Sequence, residues 1–317
     1  MLHELPVGSS FNLAAIPKLG QDFRWRKLTD ADGCYSVVLS GHLIHIRQEG
    51  QVLKYKSDSG SNLNNLLSSY FRLCDPIDEI YADISRDAKL TNLVRKYHPG
   101  VRLLRQDPWE CVVAYICSAP NSVSGITTCV EKIAEGIGQP IEMGGDERYA
   151  FPTPEQVLRA GLPRIKGLDL GLERAEHIIA AAKRISGCKV DLAELAKRDT
   201  SYEEVVWELM QKSSASCKAA NGIGNKVADC IALFALDKME AFPVDRNIGR
   251  ALADMYDDCP PLPNNSNGGL TDKQYRDVAN WARKRFGRYA CYVNQLMFHK
   301  QRLAACPRKG DFRGDGE

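Results

Sequence analysis

The sequence predicts an α+β protein, with a small N-terminal antiparallel β-sheet packed on a larger, mainly α-helical body. Three observations predict it. Short β-branched and aromatic runs with hairpin spacing occupy residues 35–55, apolar runs of helical length follow from about residue 78, and no internal repeat is present. At 317 residues the chain can hold two or three structural units that share a substantial core.

The strands come first. Tyr35-Ser36-Val37-Val38-Leu39 and Leu43-Ile44-His45-Ile46-Arg47 lie either side of Ser40-Gly41-His42, and Gln51-Val52-Leu53-Lys54-Tyr55 follows Glu49-Gly50. That is the spacing of consecutive hairpins. Residues 1–88 are read as this strand-rich domain, and 89–317 as a helical region of two subdomains with a cleft between them. Cys111 to Cys117 is apolar throughout, as in a buried helix. Pro152-Thr153-Pro154-Glu155 opens another helix, with Pro154 in its first turn. Arg174 to Lys183 is a strong helix former that Gly187 stops. Tyr202 to Lys212 is amphipathic, a glycine hairpin is expected at about 213–227, and Lys226 to Leu236 reads as mostly buried. Asn247 to Met255, Tyr275 to Phe286 and Tyr289 to Leu303 are the last helices, with residues 257–271 a loop.

Composition is ordinary for a globular chain, with 44% apolar and 26% charged residues, and a net charge of +2 does not announce a nucleic-acid binder. The distribution of charge says more. Trp281 to Gly310 holds eight basic side chains (Arg283, Lys284, Arg285, Arg288, Lys300, Arg302, Arg308, Lys309) and no acidic one. On a surface this stretch would attract phosphate, although a solvated basic tail would look the same. The eleven cysteines are odd in number, no signal peptide precedes them, and several lie in apolar helical patterns. Reduced thiols in an intracellular protein are expected. No two cysteines are separated by only two residues, which excludes a zinc pair or close-spaced iron–sulfur motif of that kind. No apolar run approaches the ~20 residues that span a bilayer. A prokaryotic cytoplasm, at the nucleoid, is the expected compartment, or the nucleus if the source is eukaryotic.

The chemistry is carried by Asn221-Gly222-Ile223-Gly224-Asn225-Lys226, with Asp245 in Phe242-Pro243-Val244-Asp245 nineteen positions beyond the lysine. A glycine turn opening a helix presents bare N–H groups that can hold a DNA phosphate, with Gly222 and Gly224 allowing close approach. An amine beside it can attack the sugar. Burial and the positive helix end both oppose a charged ammonium at Lys226, which favours the free amine that attack requires. A hairpin between packed helices with a solvated lysine is the bland alternative. Cys230 lies four residues on, on the same helix face as Lys226, where it also suits plain core packing. Asp245 is first of all an N-cap, contributing about 1 kcal/mol. A carboxylate fixed that way can also face the positive charge developing at an anomeric carbon. Attack by Lys226 would leave an imine, from which strand cleavage by β-elimination follows.

These residues, with others, resemble the helix-hairpin-helix, glycine/proline/aspartate (HhH-GPD) superfamily of DNA glycosylases, and within it the 8-oxoguanine DNA glycosylase/AP lyase family. The likeness covers nearly the entire chain. It rests on Gly20-Gln21-Asp22-Phe23-Arg24-Trp25, Arg105 to Cys111, Tyr115 to Ser118, Lys226 to Cys230, and Tyr289 through Phe298, in the family's order. The resemblance implies a TATA-binding-protein-like sheet on a glycosylase body, Lys226 as Schiff-base nucleophile and Asp245 as its carboxylate partner. It implies a lesion pocket of Gly20, Cys230, Asn294 and Phe298, in which Cys230 and Phe298 sandwich the flipped base and Gly20 supplies a carbonyl. Oxidised guanine carries N7–H where guanine has an acceptor, so that carbonyl discriminates by about 1–3 kcal/mol. Extrusion into a pocket is needed because the stack shields the glycosidic carbon. The implied enzyme is a monomer acting on duplex DNA that contains oxidised guanine, without metal or other cofactor.

The chain departs from the family pattern at several points. Where an Asn pair plugs the gap left by the flipped base, Ala119-Pro120-Asn121-Ser122 keeps only Asn121. Gly125 stands where an Arg reads the orphaned cytosine. Arg174 can supply the other such Arg after a one-residue shift, and Leu172 replaces the wedge aromatic. Asn294 replaces the pocket Gln, and Asn247 a phosphate-contacting His. Weak discrimination of the opposite base is therefore expected. Competing readings are an iron–sulfur glycosylase, for which Cys291 and Cys306 alone are too few ligands, and an alkylation-type glycosylase, which lacks a hairpin lysine. A non-catalytic hairpin DNA-binding module and a scaffold with a merely charged surface are the non-enzymatic ones.

Overall fold

The computed structural model describes residues 1–29, 33–211, 222–261 and 270–305. Strands β1 (His3–Pro6), β2 (Trp25–Lys27), β3 (Cys34–Leu39), β4 (His42–Glu49) and β5 (Val52–Ser57) form one antiparallel sheet in the order β1-β5-β4-β3-β2. The central three are the expected strands; the edge strands β1 and β2 are additional. Register sets Val37 opposite Ile44 and Ile46 opposite Tyr55. Because side chains alternate, Tyr35, Val37 and Leu39 share one face and join the main hydrophobic core. Ser36 lies on the other face, opposite His45.

That second face is covered by a hairpin the sequence reading does not contain, β6 (Pro140–Met143) and β7 (Asp146–Tyr149), joined by Gly144-Gly145. Asp146 accepts hydrogen bonds from Ser36 Oγ at 2.5 Å and bonds His45 Nε2 at 2.9 Å. Between hairpin, sheet and helix lies a buried ionic layer. Glu131 accepts from Arg24 Nε and Arg148 Nη2, each at 2.9 Å, and from Arg26 Nη2 at 2.8 Å.

Helices begin earlier than expected. α1 (Asn64–Tyr70) lies inside the region read as strands, which is corrected to helix there, while α2 (Ile77–Ile84) starts where helical character is expected. The Asn-Asn-Leu-Leu-Ser-Ser-Tyr of α1 is a poor helix former by propensity; burial of Leu67 and Tyr70 holds it. The body continues with α3 (Ala88–Tyr97), α4 (Pro108–Cys117), α5 (Val123–Ile137), α6 (Pro154–Lys166), α7 (Leu172–Ser186), α8 (Leu192–Leu195) and α9 (Tyr202–Met210). It closes with α10 (Asn225–Ala235), α11 (Arg246–Met255), α12 (Asp272–Phe286) and α13 (Ala290–Ala305). Pro154 opens α6 behind a Thr153–Gln156 capping box, and Gly187 ends α7. α4 and α10 pack together at the centre, both buried along nearly their whole length. Most of the expected 213–227 hairpin and of the 257–271 loop lies outside the described residues.

Burial pushes the Glu110 carboxyl up to about 8, against the pull of the Arg24 guanidinium 3.4 Å away. A carboxyl raised above its unfolded value of about 4.3 favours the folded state while it is protonated. That contribution is whole below the unfolded value and is lost as pH rises through about 8. Glu110→Gln should therefore lose less melting temperature than the wild type between about pH 5 and pH 8. Equal losses would remove Glu110 as the cause.

Candidate active site

Gly222 has φ +69°, and a Cβ there would stand 2.7 Å from the His177 ring of α7. Only glycine fits both the left-handed backbone and that close approach. Gly222→Ala should lower stability by about 1–2 kcal/mol and weaken duplex binding at fixed salt; unchanged affinity would separate this turn from DNA. Gly224 differs from expectation. Its φ is −92°, it is the N-cap of α10, and nothing lies within 4 Å of a Cβ placed there. Its contribution is an open helix end with no side chain over the N–H groups.

Lys226 follows in the first turn of α10, half-buried, and makes no hydrogen bond or ion pair among the described residues. Lys238, beyond the far end of α10, is buried and donates to the Lys197 and Thr200 carbonyls at 2.5 and 2.7 Å. It is thereby fixed as a structural group. Asp245 is the N-cap of α11, its carboxylate accepting from Ile248 N at 2.8 Å, as the sequence predicts. Two helix starts thus carry the amine and the carboxylate. Cys230 lies one turn beyond Lys226 on α10. Burial pushes that thiol up to about 12, the Lys226 charge pulls it down, and Asp229 and Asp245 push it further up. Cys230 is a neutral thiol, 4% exposed, that feels both charged groups.

The loop carrying Asp245 is tied to α10 by a residue the sequence reading missed. Tyr275 Oη donates to Asp229 Oδ2 at 2.5 Å and accepts from Val244 N at 3.3 Å. Asp229 also accepts from Tyr202, which in turn accepts from Arg283 Nη1 at 2.6 Å. Burial raises the Asp229 carboxyl, with the two tyrosine hydroxyls opposing. Asn225 Nδ2 donates to Asp272 at 2.8 Å, joining the starts of α10 and α12. Asn247 is exposed in the first turn of α11, on the open side.

On the lesion side, Gly20 is buried with φ +68°. Its neighbour Gln21 donates to Gln295 Oε1 at 3.2 Å, Gln295 Nε2 donates to Asn294 Oδ1 at 2.8 Å, and Asn294 Nδ2 donates to the Pro243 carbonyl at 2.7 Å. A chain of buried amides therefore runs from Gly20-Gln21 to Pro243-Val244-Asp245. Asn294, expected to face the base, has its amide committed to this chain and is 2% exposed. Phe298 is partly buried one turn further along α13. Tyr115 stacks on Phe234 at 5.6 Å and 7°, backing α10 from α4.

The residues expected to handle the opposite strand cluster at the starts of α5 and α7. Asn121 is exposed as a residue, but its amide folds back, accepting from Ser122 N at 2.9 Å and donating to the Cys117 carbonyl at 3.2 Å. It fills the space over Gly125, where a Cβ would stand 1.9 Å from Asn121 Oδ1. Arg174 donates to Leu170 O at 2.9 Å and to the carbonyls of Ala119 and Pro120 at 3.3 and 3.2 Å, bracing the loop that carries Asn121. Leu172 is 56% exposed, an apolar side chain offered to solvent at the tip of α7.

Part of the basic stretch is engaged within the fold. Arg285 pairs with Asp87 and Asp258 at 3.4 Å each and lies over the Tyr256 ring, while Arg283 serves Tyr202. These two cations are partly used inside the fold, and Arg308 and Lys309 lie outside the described residues. A cavity of about 160 Å³ between sheet and α4, reached by Asp22, Glu110 and Arg105, stands apart from Lys226 and Asp245. The described cysteines are free thiols. Among the described residues no His, Cys, Asp and Glu group could hold a metal ion, and no helix is long and apolar enough to cross a membrane.

Comparison with known proteins follows the same lines. Residues 4–112 match the family described as 8-oxoguanine DNA glycosylase, N-terminal domain. The N-glycosylase/DNA lyase of Saccharomyces cerevisiae is 30% identical over 270 residues, 76% of this chain and 67% of that protein. The N-glycosylase/DNA lyase OGG1 of Arabidopsis thaliana is 28% identical over 290 residues, 88% and 74% of the two. The solved 8-oxoguanine glycosylase/lyase of Clostridium acetobutylicum, in complex with DNA containing cytosine opposite 8-oxoguanine, superposes with a TM-score of 0.79 at 27% identity, over 96% of this chain and 98% of that one. Sheet, helical body and a lysine heading the helix after a glycine turn define a DNA glycosylase of the helix-hairpin-helix class. Within that class, the chain belongs to the 8-oxoguanine DNA glycosylase/lyase family.

Proposed function

We propose that this protein is a bifunctional base-excision-repair enzyme, removing 8-oxoguanine from duplex DNA through a Schiff base on Lys226 and then nicking the strand. The observation that carries the reading is the placing of two helix starts: Lys226, unpaired among the described residues in the first turn of α10, and Asp245, fixed as the N-cap of α11. Tyr275 ties them together, donating to Asp229 of α10 and accepting from the N–H of Val244 beside Asp245. The relatives' names agree with both halves of the activity.

In this reading the target nucleotide leaves the stack and its base enters between Cys230 and Phe298, with N7–H donated to the Gly20 carbonyl. The free amine of Lys226 attacks C1′. The N9–C1′ bond breaks and its electron pair leaves with the base, which takes up the proton lost from Nζ. Asp245, held by its capping bond, stabilises the positive charge spread over C1′ and O4′. The C1′–O4′ bond then opens to give the imine. Loss of a C2′ proton expels the 3′ phosphate by β-elimination, and water releases Lys226. The N–H groups at Gly222 and Gly224, with Asn247, hold flanking phosphates. One chain contains every group named, so a monomer suffices, and its place of work is wherever chromosomal DNA lies, nucleoid or nucleus.

Arg174 and Leu172 are assigned to the opposite strand, with Asn121 in the gap. Since Gly125 offers no side chain and Asn121 covers it, selectivity for the opposite base is low in this reading. Single-turnover excision from duplexes with 8-oxoguanine opposite cytosine or adenine, with borohydride trapping, tests both points. Trapped adduct with the lesion duplexes and none with unmodified guanine is expected, at rates within about threefold for the two partners, well inside one tenfold step of 1.4 kcal/mol. Absence of any adduct would end the Schiff-base reading; a steep cytosine preference would end the relaxed-partner one.

A further inference from the structure

Gly20 has a second neighbour, the side chain of Arg302. A Cβ built on Gly20 would stand 1.7 Å from Arg302 Nη1, 2.9 Å from its Cζ and 3.3 Å from Val123 Cγ2. The guanidinium therefore occupies the face of Gly20 where any other residue would carry a side chain. Arg302 lies four residues beyond Phe298 on α13, and so on the same helix face as that ring. It reaches the Gly20 loop from the opposite end of the chain, so a cation packs against the Cα of the residue whose carbonyl is proposed to contact the base. His299, in the same turn, is held down to about 4 by burial, with Arg302 and Lys18 adding to the effect. The imidazole is thus neutral, and Arg302 supplies the positive charge of that wall.

We propose that Arg302 is a base-recognition residue of the lesion pocket, its guanidinium donating to a carbonyl oxygen flanking N7 of the oxidised guanine while Gly20 accepts from N7–H. The inference rests on the proposed reading of the pocket and deepens it. Oxidised guanine presents acceptor, donor, acceptor along O6, N7–H and O8. A backbone carbonyl beside a planar set of N–H donors is complementary to two neighbouring groups of that edge. A guanidinium has a second consequence there. When the N9–C1′ pair leaves with the base, the negative charge delocalises onto the ring carbonyls, and a fixed cation stabilises that charge more than the neutral ground state. Arg302 should therefore act on excision, where a base departs, far more than on cleavage of an abasic site, where none is present.

The test compares wild type, Arg302→Met and Arg302→Lys in single-turnover excision from an 8-oxoguanine·cytosine duplex and in cleavage of an abasic duplex. Arg302→Met keeps the apolar stem, and melting temperatures establish that each variant is folded. The ratio of excision to abasic cleavage is expected to fall about tenfold or more in Arg302→Met, the scale of a lost charged hydrogen bond, and to recover in part in Arg302→Lys. An unchanged ratio, including one in which both rates fall in step, would overturn the assignment. A rise in excision would also overturn it, making the guanidinium an obstruction that the base must displace. If wild type gives no borohydride-trapped adduct on the abasic duplex, the underlying Lys226 reading fails; a trapped adduct with an unchanged ratio removes Arg302 alone.

Discussion

Lys226→Gln is expected to yield no borohydride-trapped adduct and to excise 8-oxoguanine at least about a thousandfold more slowly, roughly 4 kcal/mol of barrier. The amide has similar length and polarity but no lone pair able to form an imine. The fold should tolerate it, because Lys226 makes no hydrogen bond or ion pair among the described residues. Lys238 cannot substitute, since its amine is committed to two carbonyls. Excision by Lys226→Gln at the wild-type rate would remove the covalent mechanism.

The second large effect is on stability. Glu131→Ala should destabilise the protein by about 3–5 kcal/mol, because it leaves the buried guanidinium groups of Arg24 and Arg148 without their shared carboxylate. At about 2 °C per kcal/mol for a chain of this size, melting should fall by roughly 6–10 °C. Arg26→Ala touches the same carboxylate from a side chain 45% exposed and should change stability by only about 0–1 kcal/mol. Similar small effects from both would mean that the ionic layer between sheet, hairpin and α5 contributes little.

The sequence showed those parts whose signal is local. The central strands, the all-apolar α4 and the Pro-Val-Asp cap of α11 each announce themselves within a dozen residues. The edge strands β1 and β2 did not, being three or four residues long and holding His, Glu, Pro, Arg and Lys. The β6–β7 strands are too polar to read as strands, although Gly144-Gly145 is a turn signal. α1 was hidden because burial, not propensity, makes it helical. At the proposed site, Lys226, Asp245 and Cys230 stand out in the sequence by spacing and capping. Tyr275 and Arg302 do not, since each makes its contact between distant segments. Arg302 read as one more charge in a basic tail, and Arg285, from the same stretch, turned out to pair with acids of the body.

The buried amides from Gln21 through Gln295 and Asn294 to Pro243 have a mechanical meaning. Each link is shut away from water, so loosening one would leave a buried polar group poorly paired. The segment proposed to inspect a base and the segment proposed to hold the catalytic carboxylate are thereby bolted to a common chassis. Neither backbone can shift to welcome a new lesion without disturbing the other. Adaptation to other damaged bases has to come from side chains standing off that chassis, where size and charge can change while the frame stays still.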